Sequence, residues 1–270
     1  NKNNLKVFFF LRIMSQKISI FILAYNSEAN IGLALESAQW ADEIVVIDSH
    51  STDRTGAIAE KHGARVVQID FEGFGKLRIA GIEHTTYNWI FSLDTDERCT
   101  PEARDEILKI INSDNAADAY HTPRRNFFMG QPIRFSGFYP DYRQPQLFRR
   151  GKMTFPAADL VHEGYELDGR LAEMKCAIEQ IPFHNLSEVL VKANRYSSLS
   201  AEKLARTGRR TSGLGALVHA SAMFLKMYIM KLGFLDGLPG FIIAFSNFEG
   251  IFYKYAKLAE LNRKGQPRGE

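Results

Sequence analysis

From Ile18 onward the chain alternates short, wholly apolar runs with stretches of helical period, and few folds accommodate that alternation. The runs are ISIFIL, EIVVID, ARVVQI and WIFSL. Between them lie Ile31 to Ala38, Thr55 to His62 and Lys76 to Glu83, and a further helix is expected from Pro101 to Asn112. Apolar runs without polar alternation read as strands buried on both faces, and strands separated by helices pair in parallel through right-handed crossovers. The expected fold class is therefore α/β, a mostly parallel sheet with helices on both faces. Thr100 as N-cap, Pro101 at the first helical position and Glu102 in the first turn mark the start of the last helix of this series.

The stretch from Ala119 to His184 is richer in Arg, Gly, Pro and aromatic residues and is expected to form mixed strands and long loops that complete the same sheet. Beyond Leu186 the period is helical again, with breaks expected at Gly213, Gly215, Gly233, Gly237 and Pro239-Gly240. The expected organisation is a domain over residues 15–185, in halves 15–118 and 119–185, and a helical region over 186–270. A chain of 270 residues that is 45% hydrophobic has enough apolar material for it. No long uncharged apolar run is present, so a simple transmembrane helix is not expected. The apolar run before Met14 is too short for a secretory signal, and Met14 is the expected natural start. Cys99 and Cys176 have no CxxC neighbours and read as plain thiols of a reducing compartment. A net charge of +3 is too small to argue for nucleic acid.

In an open α/β sheet, ligands sit at the carboxyl ends of the strands. Three groups of polar residues stand there: Tyr25-Asn26 after ISIFIL, Asp48 at the end of EIVVID, and Asp94-Thr95-Asp96-Glu97 after WIFSL. Asp94 and Asp96 offer hard oxygen ligands at alternate positions, the donor type for one Mg2+ or Mn2+ that would also hold two phosphate oxygens. Such an ion neutralises charge on a departing nucleoside diphosphate. Asp48 is placed to accept hydrogen bonds from a base or ribose, and the planar fork of Arg78 suits a diphosphate better than Lys76 does. Asp53 reads as a helix-capping residue. Neither a Gly-x-Gly-x-x-Gly after the first strand nor a Walker A sequence is present, which argues against NAD, FAD and P-loop sites.

The segments AYNSEANI, EIVVIDSHSTDRT, GKLRIAGI and WIFSLDTDE together resemble the family 2 glycosyltransferases of GT-A (Rossmann-like) fold. The later stretches RRNFFMG, GFYPDY, LFRR, VHE and KLGFLDG resemble the subgroup that adds a sugar, often glucose, to the inner core of bacterial lipopolysaccharide. The resemblance implies a nucleotide-sugar half over 15–118 and an acceptor half over 119–185. It implies that Tyr25, Asn26, Asp48 and Arg78 contact a nucleoside diphosphate sugar such as UDP-glucose, and that Asp94 and Asp96 hold ribose and metal. Transfer with inversion requires a base for the acceptor hydroxyl. Glu163 matches the subgroup's His-Glu pair and is the first expectation, Asp141 in the YPDY turn the second. A late His in several such enzymes is a third metal ligand, which here would be His184. Ser49, Ile79 and Gln146 depart from the pattern, standing where relatives often carry Asp, Asn and Arg.

From Lys192 to Lys231, eight Lys and Arg residues face the single acid Glu202, interleaved with apolar blocks. This is the profile of helices lying on an anionic membrane surface, where a lipid-linked saccharide acceptor would be met. The expected location is cytoplasmic, peripheral on the inner face of a bacterial inner membrane. A nucleotidyltransferase should carry a Gly-rich, Arg-containing loop after the first strand, which AYNSEANI does not provide. A transferase acting on polyprenyl phosphate or protein, and a nucleotide-sugar-binding regulator, remain as alternatives.

Overall fold

The structure, a computed structural model, describes residues 16–142, 144–156, 164–183 and 185–264. In chain order, β1 (Ile18–Ala24), α1 (Ile31–Ala38), β2 (Glu43–Asp48), α2 (Thr55–Lys61), β3 (Arg65–Gln68), α3 (Phe74–His84), β4 (Trp89–Asp94), β5 (Glu97–Arg98) and α4 (Pro101–Ile111) realise the expected alternation. Then follow β6 (Ala119–His121), β7 (Arg124–Phe128), β8 (Gln131–Ile133), β9 (Leu147–Arg149), β10 (Met153–Thr154), β11 (Glu166–Leu167), β12 (Leu171–Glu173) and β13 (Ile178–Gln180). The chain ends in α5 (Leu186–Arg206), α6 (Gly213–Leu225), a π-helical turn (Lys226–Met230), a 3-10 turn (Gly233–Asp236) and α7 (Gly237–Lys264).

The main sheet has the order β12-β6-β9-β4-β1-β2-β3. β1 runs parallel to both β2 and β4, β3 parallel to β2, and β12 parallel to β6, so β9 alone runs against the rest. Every residue of β1 is buried. Its two-residue period sends Ile18, Ile20 and Ile22 to one core with Leu35 of α1 and Ile107 of α4, and Phe21 and Leu23 to another with Leu77 and Ala80 of α3. Helices therefore cover both faces. Gly81 belongs to the close approach of α3 to the sheet, because a Cβ there would lie 2.6 Å from the Phe21 ring.

The start of α4 matches its sequence signals. The Thr100 hydroxyl accepts from Ala103 N at 3.1 Å and donates to Ala177 O at 2.9 Å. Thr100→Ala should therefore lower stability by about 1–2 kcal/mol through loss of the cap and of the bond to the later segment. Urea unfolding would read this as a lower midpoint with unchanged slope.

The described residues up to 124 together with 142–180 form one compact unit, and 125–141 with the described residues from 181 onward form a second. The segment 125–141, read from sequence as part of the acceptor half, thus groups with the C-terminal helices. In the second unit, β7 and β8 make a hairpin in which Asn126 faces Ile133 and Phe128 faces Gln131, with Met129 and Gly130 both at positive φ in the turn. Phe128, Ile133, Val189, Met227, Ile243 and Ala244 form its core.

Of the expected helix breaks, Gly213, Gly233 and Gly237 lie at element ends, but Gly215, Pro239 and Gly240 lie inside first turns. Proline is tolerated there because its missing N–H has no intrahelical partner to lose. Gly240 marks a close approach, since a Cβ would lie 2.0 Å from Gly233 O. No run of 18 uncharged apolar residues occurs, in line with the sequence. Gly213–Met230 is one 18-residue helical stretch of mean hydropathy 1.3 and is long and apolar enough to cross a membrane by length and composition. Lys226 interrupts the uncharged run within it.

Candidate active site

The chain leaves β1 toward β2 and β3 on one side and returns through α3 to β4 on the other, so the strand order reverses between β1 and β4. Ligand crevices form at such switch points, outside the carboxyl ends of the strands. Ala24 is in register with Asp48, and Leu23 with Asp94, which sets the ends of β1, β2 and β4 side by side. Tyr25 is exposed there. Asn26 adopts a left-handed conformation with φ 43°, one that Asn tolerates better than most residues. Its side-chain carbonyl accepts from Thr52 N at 2.8 Å, and its own N–H donates to the Ser51 hydroxyl at 2.8 Å, so Asn26 joins the loops after β1 and β2.

Asp48 is buried, accepting from the Ser51 hydroxyl at 2.5 Å and from Gln68 Nε2 at 2.8 Å. Asp53 is not the N-cap of α2, a position held by Arg54 without a side-chain cap bond; it instead accepts from Thr55 N at 2.9 Å and from Glu28 N at 3.0 Å. Its slight burial would raise its carboxyl, but those bonds and that of the Thr55 hydroxyl hold it below the usual carboxylate value.

Asp94-Thr95-Asp96 forms the turn between β4 and β5, and its rigidity comes from groups behind it. Asp94 N–H donates to Glu97 Oε2 at 3.0 Å. Glu97 is fully buried, receiving Arg124 Nε at 2.5 Å and Gln146 Nε2 at 2.8 Å. Burial pushes the Glu97 carboxyl up against the pull of Arg124, and the nearby Asp94 and Asp96 charges add to the rise. Arg98 donates to Thr95 O at 2.8 Å and to Asn30 O at 3.2 Å, tying the turn to the start of α1. Gln180 Nε2 reaches Asp96 at 3.2 Å. Arg78 is buried, with one nitrogen on the Ser92 hydroxyl at 2.7 Å and another on Asp94 Oδ1 at 3.3 Å. The Asp94 side chain is 33% exposed and so faces both its arginine and solvent.

The family model for glycosyl transferase family 2 matches residues 19–162, just over half of the sequence. This chain belongs to glycosyltransferase family 2. The transferase is 26% identical to a lipopolysaccharide core biosynthesis glycosyltransferase, LpsC, of Rhizobium meliloti, over 91% of this chain and 95% of the relative. It is 27% identical to an uncharacterized glycosyltransferase of Rickettsia bellii, over 94% and 90% of the two chains. Among solved structures, S. aureus TarS 1–349 in complex with UDP-GlcNAc is similar over 94% of this chain and 93% of its own, at a TM-score of 0.48 and 17% identity.

The structure brings Tyr25, Asn26, Asp48, Arg78, Asp94 and Asp96 of the transferase to the carboxyl ends of neighbouring central strands of one sheet. Asp141 belongs to the other compact unit and follows the cis Tyr139–Pro140 bond. Glu163 and His184 lie outside the described residues. Sequence reasoning named Gln146 only as a departure from the pattern and gave no role to Glu97, Arg124 or Gln180, yet these four fix the turn. Gln146 is buried against Glu97 and Ser92 O. Its side-chain oxygen has no hydrogen-bond partner among the described residues.

Proposed function

We propose that this transferase moves glucose, with inversion, from UDP-glucose to a hydroxyl of a lipopolysaccharide inner-core acceptor. The observation that carries the reading is the pair Asp94 and Asp96, held by buried partners at the point where the strand order reverses. Among the described residues no three His, Cys, Asp or Glu side chains are grouped to hold a metal by themselves. Two carboxylates at a solvent-facing turn nonetheless fit Mg2+ or Mn2+, which commonly takes one or two protein carboxylates and completes its shell with substrate phosphates and water. When bound, the ion would supply Lewis-acid stabilisation of the leaving diphosphate.

In this reading Arg78 orients Asp94 and adds positive charge behind it, while Tyr25, Asn26 and the Asp48 loop line the nucleoside. Glu163 takes the proton of the attacking acceptor hydroxyl, with Asp141 as the second choice and His184 as a further metal ligand. The carbon–oxygen bond to the acceptor forms as the bond to the diphosphate breaks. The similarity to LpsC along nearly the whole of both chains supports the acceptor class. A panel of nucleotide sugars with Mn2+ and truncated lipid A-core acceptors, read by product mass, should show a hexose added from UDP-glucose. No product from any donor would overturn the proposal.

We further propose that the C-terminal helices hold the protein to the cytoplasmic face of the inner membrane. Leu214, Val218, Met230, Leu235 and Leu238 are each more than half exposed, and Arg209, Arg210, Lys226 and Lys231 flank them in sequence. The full-length protein should float with phosphatidylglycerol vesicles, and a Met230→Asp, Leu238→Asp variant should largely stay in the soluble fraction. Equal flotation of both would sink this reading.

A further inference from the structure

The second unit contains a cavity of about 330 Å3 that the reading above does not use. It lies against the β7–β8 hairpin, α5 and α7, and its walls are chiefly apolar, with Phe128, Phe138, Phe183, Val189, Ile243 and Ile251 among them. A volume in the lower part of the roughly 300–1,000 Å3 range of ligand sites, with many apolar walls and few polar groups, suits a small or slender apolar guest. Two cations also line it: Lys192 Nζ lies 4.9 Å from the Phe183 ring centroid and Lys254 Nζ 5.2 Å from that of Tyr255.

A glycine on the cavity wall points the same way. Gly250 sits deep inside the 28-residue α7, where glycine weakens a helix. Its φ is outside the left-handed region, and a Cβ there would meet nothing within 4 Å, so neither backbone conformation nor close packing asks for it. Its missing side chain leaves the space open.

We infer that this cavity binds the hydrocarbon chain of a phosphorylated lipid, with the phosphate held by Lys192 and Lys254. Apolar walls take the chain, and the two ammonium groups complement the anion at its end. The assignment of that lipid as the anchor of the saccharide acceptor rests on the function proposed above, whereas occupancy of the cavity does not.

Calorimetric titration of the full-length protein with dodecyl phosphate, below the concentration at which it forms micelles, tests this. Binding should saturate at one site, inorganic phosphate should give no binding, and uncharged dodecyl glucoside should bind about tenfold more weakly. Gly250→Phe, which fills the cavity from α7, should weaken dodecyl phosphate by at least about tenfold without lowering the melting temperature. Ala193→Leu fills it from α5 and should do the same, so the test survives if one variant misfolds. Lys192→Gln with Lys254→Gln should weaken dodecyl phosphate and leave dodecyl glucoside unchanged. Non-saturating uptake, undiminished binding in the filled variants, or no effect of the lysine changes would overturn the inference. Tight binding in a protein that transfers no sugar would overturn the transfer reading alone. Undiminished transfer by Gly250→Phe to a lipid-linked acceptor would remove the acceptor role from the cavity alone.

Discussion

An Asp94→Ala protein should transfer sugar at no more than about one hundredth of the wild-type rate, because under the proposed reading this carboxylate holds an ion whose charge stabilisation is worth several kcal/mol, and each 1.36 kcal/mol is about tenfold. The side chain is well suited to such a role. It is one-third exposed on the face of the turn, fixed at its backbone by Glu97, and oriented from behind by Arg78. Its loss would leave Arg78 bonded to Ser92 and packed over the Phe155 ring, so the fold should persist in circular dichroism. A second readout separates lost metal from lost folding. Electron paramagnetic titration of Mn2+ in the presence of UDP should show the wild type removing free ion from solution and Asp94→Ala failing to do so. Retention of more than about a tenth of the wild-type rate would remove Asp94 from the metal role.

The largest loss of stability is expected from Arg124→Met. Both Arg124 and Glu97 are buried, and removing one partner of such a pair leaves an uncompensated charge at a cost of about 3–5 kcal/mol. That is a large part of the roughly 5–15 kcal/mol that holds a typical domain folded. Adding Glu97→Gln should recover part of the loss, because the amide keeps an acceptor for Asp94 N–H and for Gln146 without the charge. Urea midpoints for the wild type, the single variant and the double variant give the order directly. If Arg124→Met unfolds within about 1 kcal/mol of wild type, the pair does not carry the stability its burial implies.

The donor side of the sheet was legible because its signals are local. Buried strands announce themselves as apolar runs, and Thr100-Pro101-Glu102 marks a helix start that the structure reproduces. The placement of Asp94 and Asp96 followed from one rule about strand ends. What fixes those residues was not legible. Gln146 and Gln180 are far from the turn in sequence, and an isolated glutamine carries no periodicity or spacing by which its partner could be named. The same holds for Arg124, which sits in a run of arginines and aromatics where nothing local separates the buried cation from Arg125 beside it. The segment 125–141 was assigned by sequence adjacency, yet it groups with helices that begin far beyond it, since Phe128 and Ile133 pack in one core with Val189, Met227 and Ile243.

The anchoring of the Asp94 turn by later residues has a consequence for how such enzymes can diversify. A fragment ending at residue 118 would retain both aspartates but lack Arg124, Gln146 and Gln180, which steady Glu97 and Asp96. The residues up to 118 therefore do not form this turn by themselves. A foreign segment grafted after residue 118 would have to reproduce three buried side chains before the Asp94 turn could be held as it is here. New acceptor preferences are more readily reached by altering surface loops around an unaltered set of these three anchors.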